Sequence, residues 1–457
     1  MAVLAIYVSV ESGLSPLRAF EVLAGLESLP AVSLEASRII RDSKLGLRTL
    51  YEQLMIEAKQ ARGVWGRLLG ALASSEASGL DPRLGMRDLV SSTLRDLKTG
   101  YEKMARRFQA LISSASVIFG AFPMMLTVML SILASGNMYP VLAATTLFNA
   151  FLAATWLLTV DSQVPDILDY KVFYRRTLSR WLPVGAAVGA LVYAGFVYFP
   201  GSLVYRSSLA LCLGALTFSL PASISWRLQS RVQSELMEGL PVVLREVAAQ
   251  VEKGYSPHQA LENVASLGSA SKYVSKLLSL IIKEARVYGS LRAAYSKIAD
   301  LLPKPWKVSL ELLALGEEMG SGASAIHALA DSMAEYVATM RELRRLTSPY
   351  KWLSLAMSIL TLSLLAYISR TVMVKMAQIG ALMAAGGATV TMPFTPPTPE
   401  ELPKLLDVVF LQASANSIIL AIVTGKTVGW RMGDSIVSVL KASAAVIAFT
   451  LFMWLAG

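Results

Sequence analysis

The sequence predicts an all-α integral membrane protein, with two duplicated helical bundles in water and about seven transmembrane helices. Composition is the first reason. Mean hydropathy is +0.53, and only 16 % of residues are charged, against about 25 % in soluble domains. Charge distribution is the second. Residues 1–109 hold 15 Lys+Arg and 12 Asp+Glu, and residues 227–351 hold 16 and 13, out of 42 and 32 in the whole chain. The third is an internal repeat. VESGLSPLRAFEVLA (10–24) returns as VEKGYSPHQALENVA (251–265), so Gly13, Ser15, Pro16 and Ala19 recur as Gly254, Ser256, Pro257 and Ala260, 241 positions later. IIRDSKLGLRTLY (39–51) answers IIKEARVYGSLRAAY (281–295), and Trp65, Glu76 and Gly79 answer Trp306, Glu317 and Gly320. A period this long is a duplicated domain rather than a solenoid.

The polar segments read as helices. Leu244, Val247, Ala248 and Val251 share one face, as do Tyr273, Val274, Leu277, Leu278, Ile281, Ile282 and Ala285. Gly254 ends one helix, and Ser256-Pro257 opens the next as cap and first residue. Gln259 stands at the capping-box position. Gly13, Ser15 and Pro16 repeat this arrangement, with Arg18 in place of the glutamine. No stretch alternates like a strand, so each segment is expected to form a bundle of about six helices.

Seven apolar runs, at 110–134, 140–160, 183–199, 203–224, 352–369, 405–424 and 437–456, are each long enough to cross a bilayer. The fifth is expected to continue past Arg370 as an amphipathic helix bearing Val372, Met376, Ile379 and Met383 on one face. Pro349 is expected to kink or break the helix entering that run. The domains are then 1–109 (first bundle), 110–224 (four spans), 225–351 (second bundle) and 352–457 (three spans).

Basic residues give the orientation. Loop 161–182 carries Lys171, Arg175, Arg176 and Arg180, and loop 425–436 carries Lys426 and Arg431; the connections 135–139 and 200–202 carry no charge. Positive-inside reasoning places both basic loops, both bundles and the N-terminus in the cytoplasm of a multi-pass cell-membrane protein. The Pro- and Thr-rich segment 386–404 falls outside. Four spans separate the copies, which makes the repeat direct rather than the inverted repeat of many transporters. The N-terminal MAVLAIYVSVESG lacks the basic region of a cleaved signal peptide. Cys212, the one cysteine, lies in a span and is expected to serve packing.

Gly254-Tyr255-Ser256-Pro257, then GSLRAAYSKIA (289–299), then ALGEEMGSG (314–322) resemble the type II secretion system F-domain family, the membrane platform proteins of type IV pili, type II secretion systems and archaella. The family's Gly-Glu-x-x-Gly-like turn before a long helix falls at Gly316-Glu317-Glu318-Met319-Gly320. The first copy, Ser75-Glu76-Ala77-Ser78-Gly79, keeps the glutamate and the last glycine. Bacterial relatives have three spans, so the extra pair at 183–224 and the C-terminal pair resemble the archaeal branch. The resemblance implies a non-enzymatic platform, without cofactor or metal. Its implied partners are a cytoplasmic hexameric secretion ATPase, pilin-like subunits in the membrane and the lipid bilayer, with no nucleic acid. A homodimer is expected, since two lobes bridge a symmetry mismatch with a hexamer.

The individual residues carry two readings each. The candidate coupling turn is Gly316, Glu317, Glu318 and Gly320, with Glu76 and Gly79 in the first copy; the plainer reading of Glu317 and Glu76 is capping of a neighbouring helix N-terminus. Gly13, Ser15, Pro16, Gly254, Ser256 and Pro257 are structural caps. Lys103, Arg106, Arg107, Arg341, Arg344 and Arg345 precede spans and read either as a partner-binding patch or, more simply, as anchors to anionic headgroups. Arg206 and Asp407 are expected to pair or to snorkel separately. Gly425-Lys426-Thr427 lacks the upstream glycine of a phosphate-binding loop, since Leu420 stands there. His258 and His327 have no cysteine partner in their surroundings. A transporter, or a membrane-bound signalling scaffold, is the alternative class. The first would need charged or broken midplane helices, and the second has no need of the domain twice.

Overall fold

The computed structural model describes residues 2–45, 49–61, 63–79, 81–123, 125–126, 129, 138–163, 173–198, 206–268, 271–299, 302–320, 322–368, 375, 378, 382, 402–429 and 432–455. Among them every regular element is helical. The helices are α1 (Ala2–Glu11), α2 (Pro16–Ala24), α3 (Pro30–Lys44), α4 (Leu50–Gln60), α5 (Gly63–Ser78), α6 (Pro82–Ser116), α7 (Met138–Gln163), α8 (Phe173–Tyr198) and α9 (Arg206–Glu252). They continue with α10 (Pro257–Leu267), α11 (Lys272–Tyr288), α12 (Leu291–Ile298), α13 (Lys304–Met319), α14 (Ala323–Thr347), α15 (Leu353–Ile368), α16 (Leu402–Gly429) and α17 (Met432–Leu455).

The chain divides into a polar unit, residues 1–103 with 230–342, and an apolar unit, residues 104–229 with 343–457. Both polar segments therefore contribute to one compact unit. A single cluster of buried side chains runs through it, from Ile6, Phe20, Leu54 and Leu72 to Leu244, Leu278, Trp306 and Leu329. α1 is apolar all round and buried from Val3 to Val10, as a helix at the centre of a core must be.

Local sequence sets the helix ends. Gly13 (φ +84°) follows α1 and Gly254 (φ +94°) follows α9; Gly79 (φ +66°) follows α5 and Gly320 (φ +69°) follows α13. All four sit in the left-handed region, which costs glycine least. Ser15 and Ser256 have nearly the same N-cap geometry, φ −65° and ψ 155° against φ −66° and ψ 155°. Ser256 Oγ accepts from Gln259 N at 3.3 Å, and Gln259 Oε1 accepts from Ser256 N at 3.2 Å, completing the expected capping box. Arg18 offers no such return, and only the longer Arg18 N to Ser15 Oγ bond, 3.5 Å, remains. A second capping box, Thr49 with Glu52, opens α4.

In the apolar unit four helices among the described residues are long and apolar enough to cross a membrane: Ala143–Ser162, Arg206–Glu252, Pro403–Gly429 and Gly433–Met453. α7 holds only 17 % of its apolar window buried. Leu147, Phe148, Phe151 and Leu158 point outward, and each would cost ~1.5–3 kcal/mol left in water. A membrane protein is what such a surface fits. Between α7 and α16 polar side chains pair: Asn149 Nδ2 donates to Asn416 Oδ1 at 2.9 Å, and Gln412 Nε2 to Thr145 Oγ1 at 2.6 Å. Such bonds hold helices together where apolar burial gives little drive.

Of the other expected spans, the described part of 183–199, residues 183–198, falls within α8 and lies after the basic first turns of that helix, 352–369 is represented by the 16-residue α15, and 110–134 is described only in part. The loops also contract. Arg176 and Arg180 lie in α8 and Lys426 in α16, so the basic residues stand largely on helix ends. Segments 386–401 and 371–374, with Met376, Ile379 and Met383, fall outside the described residues. α14 ends at Thr347, and a 3₁₀ turn spans Ser348–Trp352 before α15. Pro349 thus breaks the helix where its missing N–H predicts. α9, by contrast, runs 47 residues through Pro221 and Pro241 and belongs to both units.

Candidate functional site

The candidate site is a groove in the polar unit beside the Gly316–Gly320 segment. Glu311, Ala314, Leu315 and Glu318 recur at helical spacing on α13 and line it. α12 supplies Arg292 and Tyr295, and the link after α2 supplies Gly25 and Glu27. Ser290 opens α12, its hydroxyl accepting from Ala293 N at 3.2 Å. That cap fixes the turn from which Arg292 projects. The groove has a volume of about 290 Å³.

Its floor is Glu311, 5 % exposed. The carboxylate accepts from the backbone N–H of Glu27 at 2.6 Å and of Ser28 at 3.2 Å, across 284 and 283 positions of sequence. Tyr295 Oη donates to it at 3.4 Å. Burial first, then the charges of Glu311 and Glu27, pushes the Tyr295 hydroxyl above its ordinary pKa, so it stays a donor. At the rim Arg292 Nη1 meets Glu318 Oε2 at 2.7 Å, both exposed. Three carboxylates, Glu27, Glu311 and Glu318, thus line the groove with one guanidinium. The local surplus is negative, and a cationic surface is the complementary one.

The expected coupling residues divide. Gly316 is buried in α13, Glu318 lines the groove, and Gly320 ends the helix. Glu317 is half-buried in the last turn of α13; its side chain has no hydrogen bond or ion pair among the described residues, so it caps no neighbouring helix there. Glu76 is exposed in the last turn of α5, without a partner among the described residues, and neither it nor Gly79 lines the groove. A carboxylate near a helix C-terminus opposes the macrodipole. The local structure therefore gives Glu317 and Glu76 no stabilising task.

Lys103, Arg106 and Arg107 are exposed on α6, and Arg344 and Arg345 on α14; Arg341 meets Glu238 at 3.6 Å on the surface. Gly425-Lys426-Thr427 lies inside α16, where the backbone N–H groups are engaged in the helix and cannot cradle phosphate. Lys426, 4 % exposed, pairs with Asp161. Arg206 Nε does stand 3.8 Å from Asp407 Oδ2, but Asp407 mainly caps α9, accepting from Ser207 N at 3.1 Å and Ser207 Oγ at 2.5 Å. Cys212 is fully buried. His258 stands by Glu262 and His327 by Glu252.

Sequence reasoning passed over Glu311, Arg292, Tyr295 and Glu27. The available signal was Glu311 itself, one carboxylate among the apolar residues of Leu310–Leu315.

Comparison of the chain with protein-family models, curated proteins and solved structures returns no match.

Proposed function

We propose that this chain is the membrane platform of a type IV filament or type II secretion-like machine, of the archaeal branch, coupling a cytoplasmic hexameric ATPase to the extraction of pilin-like subunits. The observation that supports the reading is a polar helical unit drawn from two segments that share a sequence repeat, each leading by helix toward apolar runs. α2 to α6 correspond in order to α10 to α14, with the left-handed glycines at matching ends. α6 and α14 both pass the boundary between polar and apolar units. A domain pushed by a partner passes displacement along continuous helices, since each turn is hydrogen-bonded to the next. On this reading the halves are duplicated bundles, the spans number about seven, and the assembly is a homodimer. The acidic groove and the adjoining Glu317 present the face toward the ATPase.

This function requires the polar unit in the cytoplasm. The test replaces Cys212 by alanine and introduces Ser271→Cys or Thr395→Cys singly. Ser271 is exposed and makes no side-chain cap bond, so it tolerates the change. An impermeant thiol reagent added to intact cells should label Thr395→Cys and spare Ser271→Cys until the membrane is opened. Labelling of Ser271→Cys alone reverses the orientation and removes the ATPase as a partner.

A further inference from the structure

Lys351, in the 3₁₀ turn before α15, and Lys441, in α17, both belong to the apolar unit, and neither makes an ion pair among the described residues. Lys351 and Lys441 line a small cleft of about 40 Å³ with Tyr350, Thr424, Asp434 and Ser438. The one carboxylate there, Asp434, is engaged by Trp226, whose Nε1 donates to its Oδ1 at 3.2 Å. Lys441 Nζ lies 3.9 Å from the centre of the Trp352 ring, which fixes the ammonium at the cleft.

Two ammonium groups against one carboxylate leave the cleft with a positive surplus, which a bound anion offsets. The two ammonium groups, with the hydroxyls of Tyr350 and Ser438 beside them, form a set suited to phosphate oxygens. We propose that Lys351 and Lys441 bind a phosphate-bearing anion, the headgroup of an anionic phospholipid. The lipid source follows from position. Tyr350, Lys351 and Trp352 stand where a turn meets the apolar α15, and aromatic and basic residues collect at the headgroup level of membranes. The proposal rests on the reading that α16 and α17 lie in a bilayer.

The test uses the full chain purified in a nonionic detergent. Phosphatidylglycerol, zwitterionic phosphatidylcholine or inorganic phosphate is added, and thermal unfolding is followed by tryptophan fluorescence. Phosphatidylglycerol should raise the midpoint saturably, and phosphatidylcholine should not. Lys351→Gln, at an exposed turn position, should raise the half-saturating concentration about fivefold, and the double variant with Lys441→Gln about thirtyfold. Half-saturation unchanged in Lys351→Gln, or an equal response to phosphatidylcholine, overturns the site. Inorganic phosphate matching phosphatidylglycerol at equal concentration overturns the lipid source and assigns the site to soluble phosphate. The membrane reading fails by a different sign, release of the chain from membranes by alkaline carbonate, which leaves the phosphate result standing.

Discussion

Trp306→Ala should destabilise the polar unit by about 3–5 kcal/mol, the usual cost of emptying a large aromatic site in a core. Trp306 is 1 % exposed and is the largest of the fully buried side chains. Its Nε1 also donates to the carbonyl of Leu236 at 2.7 Å, tying α13 to α9. Alanine therefore leaves a cavity and removes that tie between the two helices. Trp65, at the matching place in the first half, is only half-buried, and packs edge-on against Phe20 with ring centres 6.5 Å apart. Trp65→Ala should cost less than half as much. Unfolding of the purified chain, followed by circular dichroism, measures both. Equal losses would mean that the halves bear on the core alike, against the packing described.

Glu311→Ala should cost about 2–4 kcal/mol, as the loss of charge-assisted hydrogen bonds to a buried carboxylate does. Two backbone donors, at Glu27 and Ser28, and the Tyr295 hydroxyl lose their acceptor together. Glu311→Gln keeps one acceptor oxygen and should fall between. The local signature is faster hydrogen exchange at the amides of Glu27 and Ser28, ahead of global unfolding. A Glu311→Ala protein within about 0.5 kcal/mol of wild type, the range of ordinary surface changes, would show that the carboxylate does not hold the halves together.

What the sequence made legible was local. The caps at Ser15 and Ser256, the helix-ending Gly254, and the break at Pro349 each depend on residues a few positions apart. Hydropathy exposed the apolar class, and four helices carry it among the described residues. What stayed hidden depends on distance. Glu311 finds its donors 284 positions away, and Lys426 finds Asp161 across two helices, and neither pairing leaves a spacing to read. The continuity of α9 was obscured by its change from apolar to polar along its length, which marks a change of surroundings and not a helix end. The expected capping role of Glu317 failed because the segment closes a helix rather than opening one. Glycine at position 320 ends α13, and the glutamate stands before that end.

That geometry sharpens the test of the central claim. Because the Glu317 side chain makes no bond among the described residues, Glu317→Ala should leave the protein folded and inserted, with no stability lost. The decisive measurement is the number of surface filaments on cells whose own copy of this chain has been removed, with membrane levels of the reintroduced protein recorded alongside. The account predicts no filaments without the chain, full restoration by the wild type, and a sharp drop with Glu317→Ala at normal protein levels, deeper than with Glu76→Ala. Filaments at wild-type numbers in cells lacking the chain would contradict it.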